Sequence, residues 1–188
     1  MNKMLIIGIA VLYLIYSHFI NSYLHNIGKD HYTDDTRVYD VCHTYLPNCE
    51  KYEFIGNIYI VIVFFFVFQS SKYISIIFDL IAFIIPIYFI RSILTLITVL
   101  PKSSECNYNQ SFAFINGGCY DKIFSGHAAF VFILTLLLNK YKIINFATLI
   151  ILNIVNVSLI LLTRTHYTID VIVSFLVSYI MYTNNIRL

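Results

Sequence analysis

Residues 73–100 read YISIIFDLIAFIIPIYFIRSILTLITVL and include two charged side chains, Asp79 and Arg91. A transmembrane helix needs about 20 consecutive apolar residues, so this stretch exceeds what one straight span requires. We expect it to tilt, or its last turns to lie along the membrane interface. Pro86 removes one helix hydrogen bond and predicts a kink within the span. The stretch therefore indicates a membrane-spanning helix.

The whole chain shares this apolar character. Of its 188 residues 59% are hydrophobic and 12% are charged, and the mean hydropathy is +0.77. Soluble domains carry about 25% charged residues, so the composition predicts a polytopic membrane protein. Six apolar segments are found, at residues 4–23, 55–69, 73–100, 124–138, 143–163 and 169–182. We expect an all-α fold, a single domain over residues 1–188 built as a six-transmembrane helix bundle.

The charged residues indicate how this bundle is oriented. The short segments on the side of the N-terminus carry the basic residues Lys3, Lys72, Lys140, Lys142 and Arg187. Nine of the ten acids fall on the other side, and these are Asp30, Asp34, Asp35, Asp40, Glu50, Glu53, Glu105, Asp121 and Asp170. The positive-inside rule then predicts cytosolic termini, with two larger loops in a lumen or outside the cell. We expect a multi-pass protein of the secretory pathway.

All four cysteines, Cys42, Cys49, Cys106 and Cys119, fall in these two loops. Thiols confined to an oxidising compartment favour disulfides, so one or two bridges are expected. Four cysteines allow three pairings, and the sequence does not choose among them. The chain has no CxxC spacing, so no metal site is predicted.

Polar residues concentrate where the predicted spans meet the lumenal loops. The stretches are RSILTLITVLP (91–101), CYDKIFSGHAAF (119–130) and RTHYTIDV (164–171), and the topology places all three at the same membrane face. His166 and Asp170 are four apart and share one helix face. The carboxylate can hold the Nδ1 proton of the imidazole and leave Nε2 as a nucleophile or base. Alternatively, the acid is only favoured by the helix dipole in a first turn.

The SGH tripeptide adds features of an anion site. Ser125 is a plausible helix N-cap, and Gly126 lets a ligand approach the backbone at a helix N-terminus, where phosphate is favoured. His127 in that first turn can act as acid or base. Arg91 and Arg164 offer planar forks that match phosphate oxygens, although Arg91 could instead snorkel toward head groups. Together these parts suit phosphoryl transfer through a phosphohistidine.

These three stretches, together with DVCHTYLP (40–47), resemble the sphingomyelin synthase family of the type 2 phosphatidic acid phosphatase superfamily. The resemblance covers nearly the whole chain, with a catalytic core at about residues 40–182. It implies a catalytic triad of His166 as nucleophile, Asp170 as its orienting carboxylate and His127 as acid and then base. It also implies phosphate or head-group binding by Arg91, Ser125, Gly126, Arg164 and Asp121. The chain departs from the family pattern at Tyr120 and Ala128.

The resemblance implies a transferase that works without metal or cofactor. A phospho-head group (phosphocholine, phosphoethanolamine or phosphoinositol) would move from a glycerophospholipid to ceramide, with release of diacylglycerol. The expected partners are membrane lipids, with no nucleic acid. Head-group preference stays open, and so does the acceptor, because diacylglycerol would serve the same chemistry.

Two other functions are compatible with parts of the sequence. A lipid phosphate phosphatase of the same superfamily would use water as acceptor, but those enzymes carry a K-x6-RP motif, a PSGH and a longer Arg-to-His interval. Here Phe124 precedes the SGH, and Arg164 lies two residues before His166, which favours the synthase. A membrane protein without enzymatic activity would leave the two histidines and the aspartate unexplained.

Overall fold

The computed structural model describes residues 3–33, 35–103 and 119–187, and all regular secondary structure within these ranges is helical. The α-helices there are α1 (Lys3–His31), α2 (Val41–Tyr45), α3 (Phe54–Phe65), α4 (Tyr73–Ile97), α5 (Gly126–Lys140), α6 (Phe146–Leu162) and α7 (Thr168–Thr183). Two 3-10 helices, Glu50–Tyr52 and Phe66–Gln69, lie just before and directly after α3. The predicted all-α class is confirmed for the described part of the chain.

Three segments are long and apolar enough to cross a membrane: Met4–His31, Glu50–Gln69 and Tyr73–Ile97. The other three predicted spans correspond to the shorter apolar helices α5, α6 and α7, of 15, 17 and 16 residues. At 1.5 Å per residue these reach about 23–26 Å, less than the roughly 30 Å of a bilayer core. The structure thus supports a membrane protein, and the six-span bundle stays a prediction.

Two helix ends differ from the sequence-based expectation. α1 continues beyond Tyr23 to His31, because the added turns pack against the protein: Leu24 is fully buried. Gly28 approaches the ring of Tyr120 so closely that a Cβ would overlap it. α4 runs without a break through Pro86 and ends at Ile97, where the backbone of the next residue becomes extended.

The central helix of the bundle is α5. It packs against α3, α4, α6 and α7, and its side chains Ile133, Leu134, Leu137 and Leu138 are completely buried. α1 packs on α4 and presents exposed apolar side chains on its other side. Such an outer surface fits a helix that faces lipid, where apolar side chains carry no desolvation cost.

Asp79, the acid inside the third predicted span, is paired at the end of the bundle where α4 begins. Its Oδ2 accepts hydrogen bonds from Lys140 Nζ at 3.3 Å and from the Tyr141 hydroxyl at 3.1 Å. Its Oδ1 accepts from Arg187 Nη1 at 3.0 Å. The carboxylate therefore joins α4, the end of α5 and the C-terminal residues, and its charge is compensated by two cations.

The cysteine prediction is corrected at two positions. Cys42 and Cys49 carry free thiols, so no bridge forms there. Cys42 packs against the apolar side chains of Ile160 and its neighbours, while the backbone N–H of Cys49 donates to Leu162 O at 2.8 Å. Cys119 is disulfide-bonded, which agrees with an oxidising compartment, and Cys106 lies outside the described residues.

Asp40 caps two helices at once. Its Oδ1 accepts from the backbone N–H of His43 at 3.0 Å, in the first turn of α2. Its Oδ2 accepts from the N–H of Thr168 at 2.7 Å, where α7 begins, and the Thr168 hydroxyl donates to Oδ1 at 2.8 Å. Desolvation alone would raise the pKa of Asp40, but these donors outweigh it and hold the pKa below its usual range.

We predict that Asp40→Ala lowers the free energy of unfolding by about 2 kcal/mol, because two helix caps of about 1 kcal/mol each are lost. Since the folded pKa of Asp40 is depressed, its contribution is present at neutral pH and is lost as the pH falls through that lowered pKa. Thermal unfolding in detergent between neutral and acidic pH measures both effects. The matched control is Asp35→Ala, an exposed carboxylate of the same loop. Equal destabilisation by the two variants would contradict the capping role.

The orientation yields a second prediction. We expect tags at both termini to be accessible from the cytosol and not from the opposite side of the membrane, because the positive-inside rule places the short basic segments in the cytosol. Protease protection of each tag, with and without permeabilisation, measures this. A tag protected from cytosolic protease at the C-terminus would mean that the number of spans is odd.

Candidate active site

A cavity of about 850 Å³ lies between α1, α3, α4 and α5. One end, called here the polar end, is lined by Arg91, Asp121, Lys122, His127 and His166. The rest of the wall is mainly aliphatic and aromatic, with residues such as Ile60, Phe64, Ile77, Leu80, Ile84 and Phe130. The volume lies in the range of pockets that bury most of a small-molecule ligand.

The cavity is long in the direction of the helices. Along α4 its lining runs from Ile77 to Arg91, and 14 residues at 1.5 Å per residue span about 21 Å. Charged groups stand only at the Arg91 end of this distance, among the lining residues that the structure describes. A cavity that is polar at one end and apolar along its length complements an amphiphile with a polar head and a hydrocarbon body.

His166 is held at the polar end by Asp170. The Nδ1–H of the imidazole faces Asp170 Oδ2 at 3.3 Å, and the same oxygen accepts the backbone N–H of Tyr167 at 2.8 Å. Asp170 is fully buried and therefore confined to this geometry. The carboxylate thus caps the start of α7 and orients the imidazole at the same time. Both interpretations of the HxxxD spacing occur together, and Nε2 remains available for chemistry.

The surroundings of His166 keep its ring neutral. Burial lowers the pKa of His166, and the nearby ammonium of Lys122 lowers the pKa further. The same ammonium donates to Thr165 O at 2.9 Å, and His43 Nε2 donates to His166 O at 3.1 Å, so the turn before α7 is held from two sides. A neutral imidazole has the lone pair that a nucleophile requires.

Ser125 and Ser174 join the beginnings of α5 and α7. Ser125 Oγ accepts the N–H of Ala128 at 3.3 Å as the N-cap of α5. Its own N–H donates to Ser174 Oγ at 2.7 Å, and the Ser174 hydroxyl donates to Asp170 O at 2.6 Å. These bonds hold His127 at the same cavity as His166. The predicted N-cap role of Ser125 is confirmed. Its side chain is fully buried and does not line the cavity, and the phosphate contact that the resemblance implies stays a prediction.

Gly126 lines the cavity, and its predicted phosphate contact stays a prediction. It is the first residue of α5, and its carbonyl accepts the hydroxyl of Tyr88 on α4 at 3.1 Å. Without a side chain, this position leaves the backbone of the first helical turn open to the polar end of the cavity.

Asn57 on α3 is a site residue that the sequence analysis missed. Its Oδ1 faces His127 Nε2 at 2.8 Å, and both residues line the cavity. With the amide oxygen as acceptor, the imidazole carries its proton on Nε2 and its lone pair on Nδ1. The available signal was a lone amide in the apolar run FIGNIYIV, residues 54–61, at the end of a predicted span.

The cationic groups of the site differ in part from the prediction. Arg91 forms a buried ion pair with Asp121, and its Nε donates to Phe124 O at 3.4 Å. Asp121 thus compensates Arg91 at the cavity wall. Arg164 does not line the cavity, which corrects its predicted phosphate contact: its backbone is left-handed, with φ of 55°, and Nη2 donates to the carbonyl of His43 at 2.9 Å.

Lys122 is the cation that sequence reasoning passed over. It follows Asp121 directly, and it lines the polar end together with Arg91 and both histidines. Within the described ranges, no group of three or more His, Cys, Asp or Glu residues is placed to hold a metal ion. The polar end therefore combines two imidazoles with the cations Arg91 and Lys122, of which Arg91 is paired with Asp121, an arrangement that suits a phosphoryl group.

Comparison with known proteins agrees with this chemistry. Residues 118–186 match the family model described as PAP2 superfamily C-terminal, and the matched segment includes His127, His166 and Asp170. The match supports the type 2 phosphatidic acid phosphatase superfamily, whose members carry out phosphoryl transfer on lipid phosphates. No curated protein matches the chain at a significant level. The helices α1 to α4, which form much of the cavity, lie outside the matched segment.

We predict that Asn57→Ala lowers kcat for phosphoryl transfer about tenfold, through loss of one orienting hydrogen bond to His127, and leaves KM nearly unchanged. Asn57→Asp, which keeps an acceptor oxygen at the same place, should restore most of the rate. Steady-state kinetics with a lipid phosphate substrate measures both. Asn48→Ala, an exposed amide in the loop before α3, is the control. A rise in KM without a fall in kcat would instead assign Asn57 to substrate binding.

Proposed function

We propose that the protein is a phosphotransferase that moves a phospho-head group from a glycerophospholipid to ceramide through a phosphohistidine. The observation that carries the proposal is the imidazole of His166, held by Asp170 at the polar end of a mainly apolar cavity. A second histidine, His127, and the cations Arg91 and Lys122 line the same end. Nucleophile, acid and charge stabilisation are therefore available at one place.

In the first half of the reaction, His166 Nε2 attacks the phosphorus of the donor lipid. A P–N bond forms, and the bond between phosphorus and the glycerol oxygen breaks. His127 enters this step as the imidazolium, with its Nε2–H on Asn57, and gives its Nδ1 proton to the departing oxygen, so that diacylglycerol leaves as a neutral alcohol. Arg91 and Lys122 stabilise the negative charge that spreads over the phosphoryl oxygens.

In the second half, the primary hydroxyl of ceramide takes the place of diacylglycerol. His127 is now a neutral imidazole with its lone pair on Nδ1. It accepts the hydroxyl proton while the oxygen attacks phosphorus and the P–N bond breaks. His166 returns to its neutral state and His127 to its protonated state, so the cycle closes. No redox partner or metal is required by this balance of bonds and protons.

The long apolar cavity supports a lipid acceptor. Its lining extends about 21 Å along α4 from the polar end, enough to hold hydrocarbon chains beside the reacting phosphate. With a lipid phosphate monoester as donor and water as acceptor, the same site would be a lipid phosphate phosphatase: His166 would still attack phosphorus and release diacylglycerol, and water would then free inorganic phosphate. The donor and the acceptor together therefore separate the two functions.

We expect purified protein, given fluorescent ceramide and phosphatidylcholine or phosphatidylethanolamine, to form a phosphosphingolipid and diacylglycerol. His166→Ala should reduce product to background, because the attacking nitrogen is lost. Thin-layer chromatography of the lipids measures both products. The control is His31→Ala, an exposed histidine at the end of α1 outside the cavity, which should keep wild-type activity.

Two outcomes would count against the proposal. Transfer that survives in His166→Ala would remove the phosphohistidine from the mechanism. Release of inorganic phosphate from phosphatidic acid by the wild-type protein, without a phosphosphingolipid under any donor, would assign the site to a phosphatase.

A further inference from the structure

A row of polar side chains on α1 faces the cavity opposite the histidines. Tyr13, Ser17 and Asn21 recur every four residues, so they share one face of the helix, and all three line the cavity. Ser17 and Asn21 are only 5% and 3% exposed although they lie in an apolar segment. We call these three residues the α1 polar row.

The depth of the row follows from its contacts with α4. The Tyr13 hydroxyl donates to Tyr88 O at 2.9 Å and lies 3.1 Å from Ser92 Oγ, beside Arg91 in the sequence. Farther along both helices, the Tyr32 hydroxyl donates to Val99 O at 2.8 Å, so α1 and α4 run in the same direction. Ser17 and Asn21 follow Tyr13 in that direction and therefore lie beside the polar end of the cavity.

The position of these groups is not explained by the membrane. Buried amides and hydroxyls in an apolar helix are costly unless they are hydrogen-bonded, and Asn21 Nδ2 donates to Ser17 Oγ at 3.3 Å. A bond within the helix satisfies polar atoms on any face. The face that carries the row borders the cavity, whereas Leu12, Ile15 and Phe19, exposed at the same level of the helix, are apolar.

The chemistry of the row matches a neutral polar group rather than a phosphate. A carboxamide and hydroxyls both donate and accept hydrogen bonds and bear no charge. Beside the phosphate of a two-chain lipid stands the linkage to its chains, which is an ester or an amide. An ester only accepts, whereas a secondary amide also donates, and a carboxamide can pair with it in both directions.

We propose that Ser17 and Asn21 bind the polar linkage of the acceptor lipid and select an N-acylated amino alcohol over a diacylated glycerol. The inference rests on the proposed function, since it concerns the acceptor of the second half of that reaction. An ester at this place offers no N–H to the row, so a hydrogen bond that is made with the amide-linked acceptor is absent with the diacylated glycerol. Acceptor choice is thereby made on α1, outside the segment that carries the reacting histidines.

The test compares two acceptors of matched chain length, ceramide and diacylglycerol, with one labelled phospholipid donor in vesicles. For the wild-type protein we expect kcat/KM to be at least tenfold higher with ceramide. Asn21→Leu removes the carboxamide at similar volume and should lower this ratio about tenfold, while Ser17→Ala should lower it several-fold. The control is Ser22→Ala, the neighbouring hydroxyl of α1 that does not line the cavity. It should leave the ratio unchanged.

The first half of the reaction reports separately on the fold. Labelled phosphohistidine and released diacylglycerol, measured without acceptor, give the amount of phosphohistidine that each variant forms, and the two acceptors are compared on equal amounts of it. If the wild-type protein forms no phosphohistidine, the proposed function fails. If it transfers the head group but the acceptor ratio is unchanged in both variants, the proposed function stands and the role of the α1 polar row is wrong. An equal loss in the first half-reaction for both variants also overturns the role, because it indicates structural damage.

Discussion

The buried carboxylate of Asp170 is the constraint on which the rest of the site depends. It accepts the Tyr167 N–H, which starts α7, and it holds the Nδ1 side of His166. The carbonyl of the same residue accepts the Ser174 hydroxyl, which in turn accepts the N–H of Ser125 at the start of α5. One residue therefore fixes the nucleophile and connects it to the helix that carries the second histidine. Such a connected hydrogen-bond network leaves these side chains few alternative conformations.

The membrane limits where this network can stand. Polar groups in a bilayer core are costly, so the charged residues of the cavity gather at one end, where α4 ends and α5 and α7 begin. The opposite end of the bundle carries a separate cluster around Asp79, which ties Lys140 and Arg187. Between the two clusters the cavity wall is mainly apolar. The cost of polar groups in the bilayer core thus leaves a cavity that is charged at one end and apolar along its length, as an amphiphile requires.

Sequence reasoning could reach His127, His166 and Asp170, because local spacing and the alternation of spans place them on one face of the membrane. It could not reach Asn57, whose role depends on how α3 packs beside the start of α5. A similar cause explains why Lys122, and not Arg164, lies at the cavity. Proximity in sequence to the reacting histidine suggested the arginine, but its left-handed backbone and its bond to α2 direct it elsewhere. Long-range packing, absent from any local pattern, decides each of these positions.

The reacting side chains and the opposite wall of the cavity are carried by different helices. The histidines and the aspartate lie within residues 118–186, on α5, α7 and the turn between α6 and α7. The opposite wall is built by α1, α3 and α4, and α1 contacts the bundle mainly through α4. Because the reacting groups are held by α5 and α7, a substitution on α1 can change the cavity wall without displacing the nucleophile. A residue bonded to His166, such as Asp170, offers no such separation, because its loss disturbs the nucleophile itself.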